Sequence, residues 1–206
     1  MALLWPYWPY GLAHLACHTS GMHNFRFVGW LFLPLALLAT VTAGATTVER
    51  LSFAEMTDSS EAIVSGQIAD SWSAWDSEHK YIWTHYRILV SNTLKGEGSL
   101  VEIAEPGGVM GNVGMQIGGG TLFQRGETVL VFLQRMPNGY LRTAGLGQGK
   151  YTVDAAGRLR GAILKDVEVL EKGGIRHGVS LEGLTLADAA TQISGYVRTA
   201  GARRIR

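Results

Sequence analysis

One run of alternating side chains, Tyr81 to Gly96 (YIWTHYRILVSNTLKG), constrains the fold of this chain more than any other segment. Every second residue is mostly apolar: Ile82, Thr84, Tyr86, Ile88, Val90 and Leu94. The residues between them are mostly polar or amphipathic: Tyr81, Trp83, His85, Arg87, Ser91 and Thr93. Because successive side chains of a strand point to opposite faces, this pattern predicts a strand with one buried face. The run exceeds the usual strand length, so we expect a strong coil or a bulge in it.

The rest of the chain continues the β pattern. The 206 residues include 27 Gly and only 5 Pro, which favours short strands with many turns. Residues 128–135 are apolar at consecutive positions and predict a central strand covered on both faces. Gly66, on the inward side of its strand, predicts a close approach of two backbones. We predict further strands at 62–72, 100–104, 113–117, 140–143, 149–153 and 158–161, with a polar loop at 71–80.

Two helices flank this β region. Ser52 and Glu55 form a predicted capping box, and the short helix that follows is expected to end near Ser59 or Ser60. Near the other end, Thr185 is a predicted cap with Asp188 three residues on. Apolar residues follow at helical spacing, namely Leu186, Ala190, Ile193 and Val197.

The first 45 residues have the pattern of an export signal. Arg26 precedes an apolar run at 27–41, and Ala43-Gly44-Ala45 provides small residues for cleavage. We predict a signal peptide over residues 22–45, with Met22 as the true start and residues 1–21 as a misplaced upstream start. The expected location is secreted or periplasmic, with membrane contact only through this segment.

The expected mature chain begins at Thr46 and consists of a β domain over residues 46–183 and a C-terminal helix with a basic tail over 184–206. Removal of residues 1–45 also removes the only cysteine, Cys17. Acidic and basic residues are interspersed, and the only basic run is Arg203, Arg204 and Arg206. Nucleic-acid binders usually carry a basic stripe, so we do not expect nucleic acid as a partner.

Several segments together resemble a known module: Ser60–Ile68, Tyr86–Gly96, Pro106, Gly114–Gly118 and Arg125–Phe132. Their order is similar to the netrin-like module of the tissue inhibitors of metalloproteinases, and closer still to secreted bacterial domains of the same pattern. The resemblance covers about residues 60–153. It implies a mainly β fold, an OB-like Greek-key barrel, here with a short N-terminal helix and a C-terminal helix. Those inhibitors use an N-terminal Cys, which the expected mature chain lacks, so only the barrel is carried over.

The candidate ligand-binding residues are Tyr81, Trp83, His85 and Arg87, which share the face opposite the buried one. OB-type barrels bind oligosaccharides and oligonucleotides on such a face, and aromatic side chains with polar groups suit it. The alternative is that the C-terminal helix covers this face.

The sequence predicts a non-enzymatic binding module for an envelope or extracellular protein or polysaccharide. One alternative is a modulator of a secreted metalloprotease. Another is an enzyme with an atypical site near His79 and His85, although their spacing matches no zinc pattern. The Gly-rich segments lack the Gly-Lys-Ser/Thr ending of a phosphate loop. We therefore predict no catalytic residue, no metal site and no cofactor.

Overall fold

The computed structural model describes residues 46–162, 167–170 and 180–204. The predicted signal peptide at 22–45 and the predicted upstream start at 1–21 lie outside the described residues, as does Arg206. Among the residues that the structure describes, no helix is both long and apolar enough to cross a bilayer.

The predicted helices and strands occur in the predicted order, and the structure adds strands at 46–49 and 108–110 and a 3-10 helix at 146–149 that were not predicted. The two α-helices are α1 (Phe53–Ser59) and α2 (Leu186–Arg204), and a 3-10 helix spans Leu146–Gly149. The strands are β1 (Thr46–Glu49), β2 (Ala62–Trp75), β3 (Ile82–Lys95), β4 (Leu100–Pro106), β5 (Gly108–Met110), β6 (Val113–Met115), β7 (Thr128–Arg135), β8 (Leu141–Thr143), β9 (Lys150–Val153), β10 (Leu159–Gly161) and β11 (Val167–Leu170).

Most strands belong to one antiparallel seven-stranded sheet in the order β10-β9-β7-β2-β3-β4, with β8 also paired to β7. The predicted mainly β fold with its two helices is confirmed. Within the described residues no strand pairing joins β4 to β8, so backbone hydrogen bonds do not close a barrel. The strand order remains compatible with an OB-like arrangement, because β4 and β8 lie next to each other across this opening.

The long strand predicted from the alternating run is β3, a strand of 14 residues that pairs with β2 from Ile82 to Lys95. The register shifts at three points, so the predicted irregularity is confirmed. A bulge reverses which face a side chain occupies. For this reason Leu94 packs on a different apolar cluster from Val90, contrary to the prediction that they share a face. The predicted loop at 71–80 was also too long, because β2 continues to Trp75 by pairing with Ile82.

Two apolar clusters lie on opposite faces of the central strands. The first lies inside the curved sheet and includes Val64, Ile88 and Val131. The second lies between the sheet and the helices and includes Ile63, Phe132 and Ile193. Because β7 contributes alternate residues to both clusters, the prediction that it is covered on both faces is confirmed.

The predicted helix caps are present. Ser52 Oγ accepts from the Glu55 N–H at 3.2 Å, and the Glu55 carboxylate accepts from the Ser52 N–H at 2.9 Å. Thr185 Oγ1 accepts from the Asp188 N–H at 3.2 Å. In α2 the fully buried alanine is Ala189, and the predicted Ala190 is only partly buried.

A parallel pair of short strands was not predicted. β1 pairs with β11, with Thr46 opposite Val167 and Glu49 opposite Leu170. The Gln148 side chain holds the end of β1 by donating to the Glu49 carbonyl at 2.9 Å and accepting from the Leu51 N–H at 2.8 Å. The pairing could not be predicted because β1 and β11 have four residues each, which is too short to show a periodic pattern, and lie far apart in the sequence.

Gly66 lies where β2 and β3 approach most closely, as its sequence position predicted. A Cβ at Gly66 would overlap the Leu89 carbonyl oxygen. We expect Gly66→Ala to lower the free energy of unfolding by about 1 to 3 kcal/mol, since the two backbones must separate. Gly195 of α2 is the matched control, because a Cβ there meets no atom within 4 Å. Gly195→Ala should stabilise the protein by about 0.5 to 1 kcal/mol in urea unfolding. Equal effects at both glycines would contradict this account.

Candidate functional site

The outer face of the sheet around β3 carries the predicted site residues Trp83, His85 and Arg87. The pairing register places His85 opposite Trp72 of β2 and opposite Ala104 of β4. Tyr81 lies just before the strand, where the Lys80 ammonium is 5.1 Å from its ring centroid. The structure therefore brings three of the four predicted residues together and leaves Tyr81 at the end of the sheet.

These side chains belong to a longer series, which we call the aromatic row: Arg87, Trp72, His85, Tyr140, Trp83 and Arg142. The Trp72 and His85 rings stack with centroids 5.2 Å apart and an interplanar angle of 7°. Tyr140 meets His85 edge-on at 5.5 Å and Trp83 at 5.0 Å. Edge-on and stacked contacts at these distances are the favoured geometries for aromatic pairs.

An arginine lies at each end of the aromatic row. The Arg87 guanidinium is 5.0 Å from the Trp72 ring, and the Arg142 guanidinium is 5.7 Å from the Trp83 ring. Both distances allow a cation–π interaction. The result is a cationic group at each end of four connected rings, most of which are partly exposed.

His85 is held on two sides and is the most buried member of the row. Its ring stacks on Trp72, and its Nδ1 lies 3.1 Å from Oε1 of Glu102 on β4. The carboxylate of Glu102 is half exposed and has further acceptor capacity beside the rings. The imidazole therefore acts as the fixed centre of the row.

The C-terminal helix packs elsewhere than on the aromatic row. Its buried residues Ala189 and Ile193 belong to the cluster between sheet and helices. On the outer face it is the Tyr140 ring that lies against Trp83 and His85. These contacts therefore do not support the alternative in which the C-terminal helix covers the aromatic row.

A buried carboxylate fixes the Arg142 end of the row. Glu105 of β4 is 1% exposed and accepts from the Thr143 N–H of β8 at 2.7 Å. Its other oxygen lies 3.6 Å from Arg142 Nε, and within the described residues neither of these two atoms has a hydrogen bond. Burial raises the pKa of the Glu105 carboxyl, and the contacts with Thr143 and Arg142 only partly offset this effect. Glu105 thus connects β4 to β8 where backbone pairing is absent.

The two histidines of the alternative enzymatic site contact different partners. His79 lies in the loop after β2, with a positive φ of 54°, and its ring is 6.5 Å from that of Trp75. His85 stacks instead on Trp72 in the middle of the sheet. In the described ranges, no group of three or more His, Cys, Asp or Glu residues is placed to hold a metal ion.

The sequence alone could not reveal half of the aromatic row. Trp72 would follow from a correct register, since it lies directly opposite His85. Tyr140 and Arg142 lie more than fifty residues along the chain and reach the row through the turn between β7 and β8.

Comparisons with protein-family models, curated proteins and solved structures found no match to this chain.

Proposed function

We propose that this protein is a non-enzymatic binding module of the cell envelope or the extracellular space, and that the aromatic row binds an acidic polysaccharide. The observation that carries the proposal is the series of four connected rings with an arginine at each end. The proposed location depends on the predicted signal peptide and is part of the proposal.

The geometry of the rings suits a polymer of sugars. Aromatic rings offer flat apolar surfaces for the C–H faces of sugar rings, with polar groups at their edges. Neighbouring ring contacts hold Trp72, His85 and Tyr140 in place before any ligand arrives. Binding therefore costs little additional side-chain entropy, which favours affinity.

The charges around the row favour an acidic polymer over a neutral one. Arginine presents several donors in a planar fork that matches a carboxylate. Arg87 offers such a group at one end, Arg142 adds a guanidinium with a 14% exposed side chain at the other, and Glu102 beside His85 offers an acceptor for sugar hydroxyls. A chain of sugars with carboxylates at intervals fits this order of acceptor and donors.

The test is affinity electrophoresis in native gels that contain polygalacturonate, alginate or neutral dextran. We expect at least one acidic polymer to retard the protein, and dextran to have no effect. The double substitution Trp72→Leu with Arg87→Gln should weaken binding at least about tenfold, which corresponds to about 1.4 kcal/mol. Thermal melting of the variant checks that the fold is retained.

The matched control is Trp75→Leu with Arg198→Gln, which removes the same residue types away from the row. Trp75 contacts His79 in the loop after β2, and Arg198 is exposed on α2. This control should bind like the unmodified chain. The proposal fails if both double variants bind equally, or if no acidic polymer retards the protein.

A protein ligand is the second candidate, and one observation favours it. Leu89 and Leu100 face each other across β3 and β4, and each is 52% exposed. They lie two residues beyond Arg87 and Glu102 on the same face, so they extend the row with an apolar end. One version of this proposal is that the protein modulates a secreted metalloprotease. Titration against secreted metalloproteases tests it. Inhibition that Leu89→Ser abolishes, and that Trp72→Leu spares, would support it.

A further inference from the structure

A second surface of the molecule is formed by the β5–β6 hairpin and the chain that follows it. It differs from the aromatic row because its exposed side chains are aliphatic. We define the apolar hairpin as residues 107–124. Val109 is 66% exposed, Val113 is 50% exposed and Leu122 is 76% exposed. Soluble proteins show single exposed apolar residues everywhere, but a group of them on one projection usually marks an interaction site.

The apolar hairpin is anchored at its first end by the main sheet. The Gly107 N–H donates to the Ile82 carbonyl at 2.8 Å, and Thr84 Oγ1 donates to the Gly107 carbonyl at 2.7 Å. Gly108 has a φ of +137°, and a Cβ there would overlap Thr84 Oγ1. The chain therefore leaves the sheet in one fixed direction that only glycine permits.

The second end of the hairpin is anchored just as firmly. Phe123 is buried in the first apolar cluster, where its ring centroid is 4.9 Å from that of Tyr86. Lys150 Nζ donates to the Leu122 carbonyl at 2.6 Å and to the Glu127 carboxylate at 3.0 Å. These contacts hold the backbone of Leu122 in place. Its exposed side chain therefore has a defined position on the surface.

The hairpin carries no ionisable side chain. No Asp, Glu, Lys, Arg or His occurs from Pro106 to Gln124, whereas 17% of the whole chain is charged. Cations stand at its borders: Arg125 follows it directly and is exposed, and Lys80 lies beside Tyr81, next to the Ile82 that anchors Gly107. The loop after β2 also contains the acids Asp76 and Glu78, so the cations do not stand alone.

We propose that the apolar hairpin docks on the surface of a lipid bilayer that contains anionic lipids. Val109 and Val113, on opposite faces of the two-stranded hairpin, enter the boundary between head groups and acyl chains together with Leu122, and Arg125 contacts a lipid phosphate. An uncharged apolar projection with an exposed arginine at its border has the composition of an interfacial anchor. Tyr81, whose ring is exposed, is of the type that lies at the head-group level.

The alternative occupants fit the hairpin less well. A stable protein interface covers about 800 Å² on each partner and has a polar rim. The hairpin is made of two three-residue strands, and only a few of its apolar side chains are exposed, which is little for an interface of that size. A bilayer requires neither a matching surface nor a rim, and it accepts an apolar projection of this small size.

The test is co-sedimentation with vesicles of phosphatidylcholine alone and with a fraction of phosphatidylglycerol, using the exported form of the chain. We expect binding that increases with phosphatidylglycerol. Leu122→Asp should lower the bound fraction at least fivefold, and Arg125→Gln should reduce only the dependence on phosphatidylglycerol. The control is Leu100→Asp, which places the same charge at an exposed leucine of β4. All variants share one N terminus, so their differences report the hairpin alone.

Three results would overturn the proposal. The first is the absence of binding to both kinds of vesicle. The second is equal binding by the Leu122→Asp and Leu100→Asp variants. The third is self-association of the unmodified chain in size-exclusion chromatography that is lost in the Val109→Ser variant. The hairpin would then bind a second copy of this chain.

Discussion

Substitution of Glu105 by alanine should lower the free energy of unfolding by about 3 to 5 kcal/mol. The reason is that a buried charge and a backbone donor both lose their partner when one member of a buried pair is removed. Glu105 is 1% exposed, faces Arg142 Nε at 3.6 Å and accepts from the Thr143 N–H at 2.7 Å. Urea unfolding followed by tryptophan fluorescence measures the effect.

Glu105→Gln is the matched variant, since it keeps the shape of the side chain and an acceptor for the Thr143 N–H. We expect it to cost much less than the alanine substitution at low pH, where the carboxyl is itself neutral. A loss of less than about 1 kcal/mol for Glu105→Ala would show that the link between β4 and β8 does not depend on this side chain.

The Glu105 carboxyl should also make stability depend on pH. Burial raises its pKa in the folded protein above the ordinary value of 4.5. The unfolded chain therefore releases the proton first, and the stability due to this group is lost as pH rises from 4.5 through the folded pKa. The unmodified chain should therefore lose stability relative to Glu105→Gln over this range, so the difference between the two changes with pH. The carboxyl groups with lowered pKa values, Glu61, Glu127 and Asp154, act in the opposite direction but are common to both chains and cancel. A difference that stays constant with pH would exclude this titration.

Phe132→Ala should be the second strongly destabilising change, by about 3 to 5 kcal/mol. The Phe132 ring is fully buried between the sheet and the helices, in the cluster that also contains Met56 and Ile193. Removal of a buried phenylalanine costs the lost transfer free energy and leaves a cavity. Because both helices pack on this cluster, far-UV circular dichroism during thermal unfolding should show their loss at a lower temperature.

The control for this substitution is Leu122→Ala, which truncates a large apolar side chain that is 76% exposed. Its effect on unfolding should stay within about 0.5 kcal/mol. If Phe132→Ala were equally mild, the helices would not depend on the cluster that they cover.

The two strongly destabilising substitutions, Glu105→Ala and Phe132→Ala, affect different regions of the protein. Phe132 stabilises the part of the sheet that the helices cover, whereas Glu105 contacts Arg142 at one end of the aromatic row. Glu105→Gln should thus alter polysaccharide binding through Arg142, while mild substitutions at the helix-facing cluster should leave it unchanged. This contrast separates a loss of binding from a general loss of stability.

The sequence determined those features that depend on neighbouring residues. The alternation in β3 predicts its buried face because side chains of a strand point to opposite sides. The consecutive apolar residues of β7 predict a strand covered twice, and both clusters confirm it. The capping box at Ser52 and Glu55 and the cap at Thr185 are likewise local, since three residues separate each pair of partners.

Only the tertiary structure decided which side chains meet. A bulge in β3 moved Leu94 to the other cluster, because one extra residue reverses the alternation. The sequence indicated the outer face of β3 as the place for function, and three of its four residues do lie together there. Their partners Trp72, Tyr140 and Arg142 come from other strands, and Glu105 connects two strands without backbone pairing. Such contacts depend on register and on the path of the chain between strands, which residue periodicity does not encode.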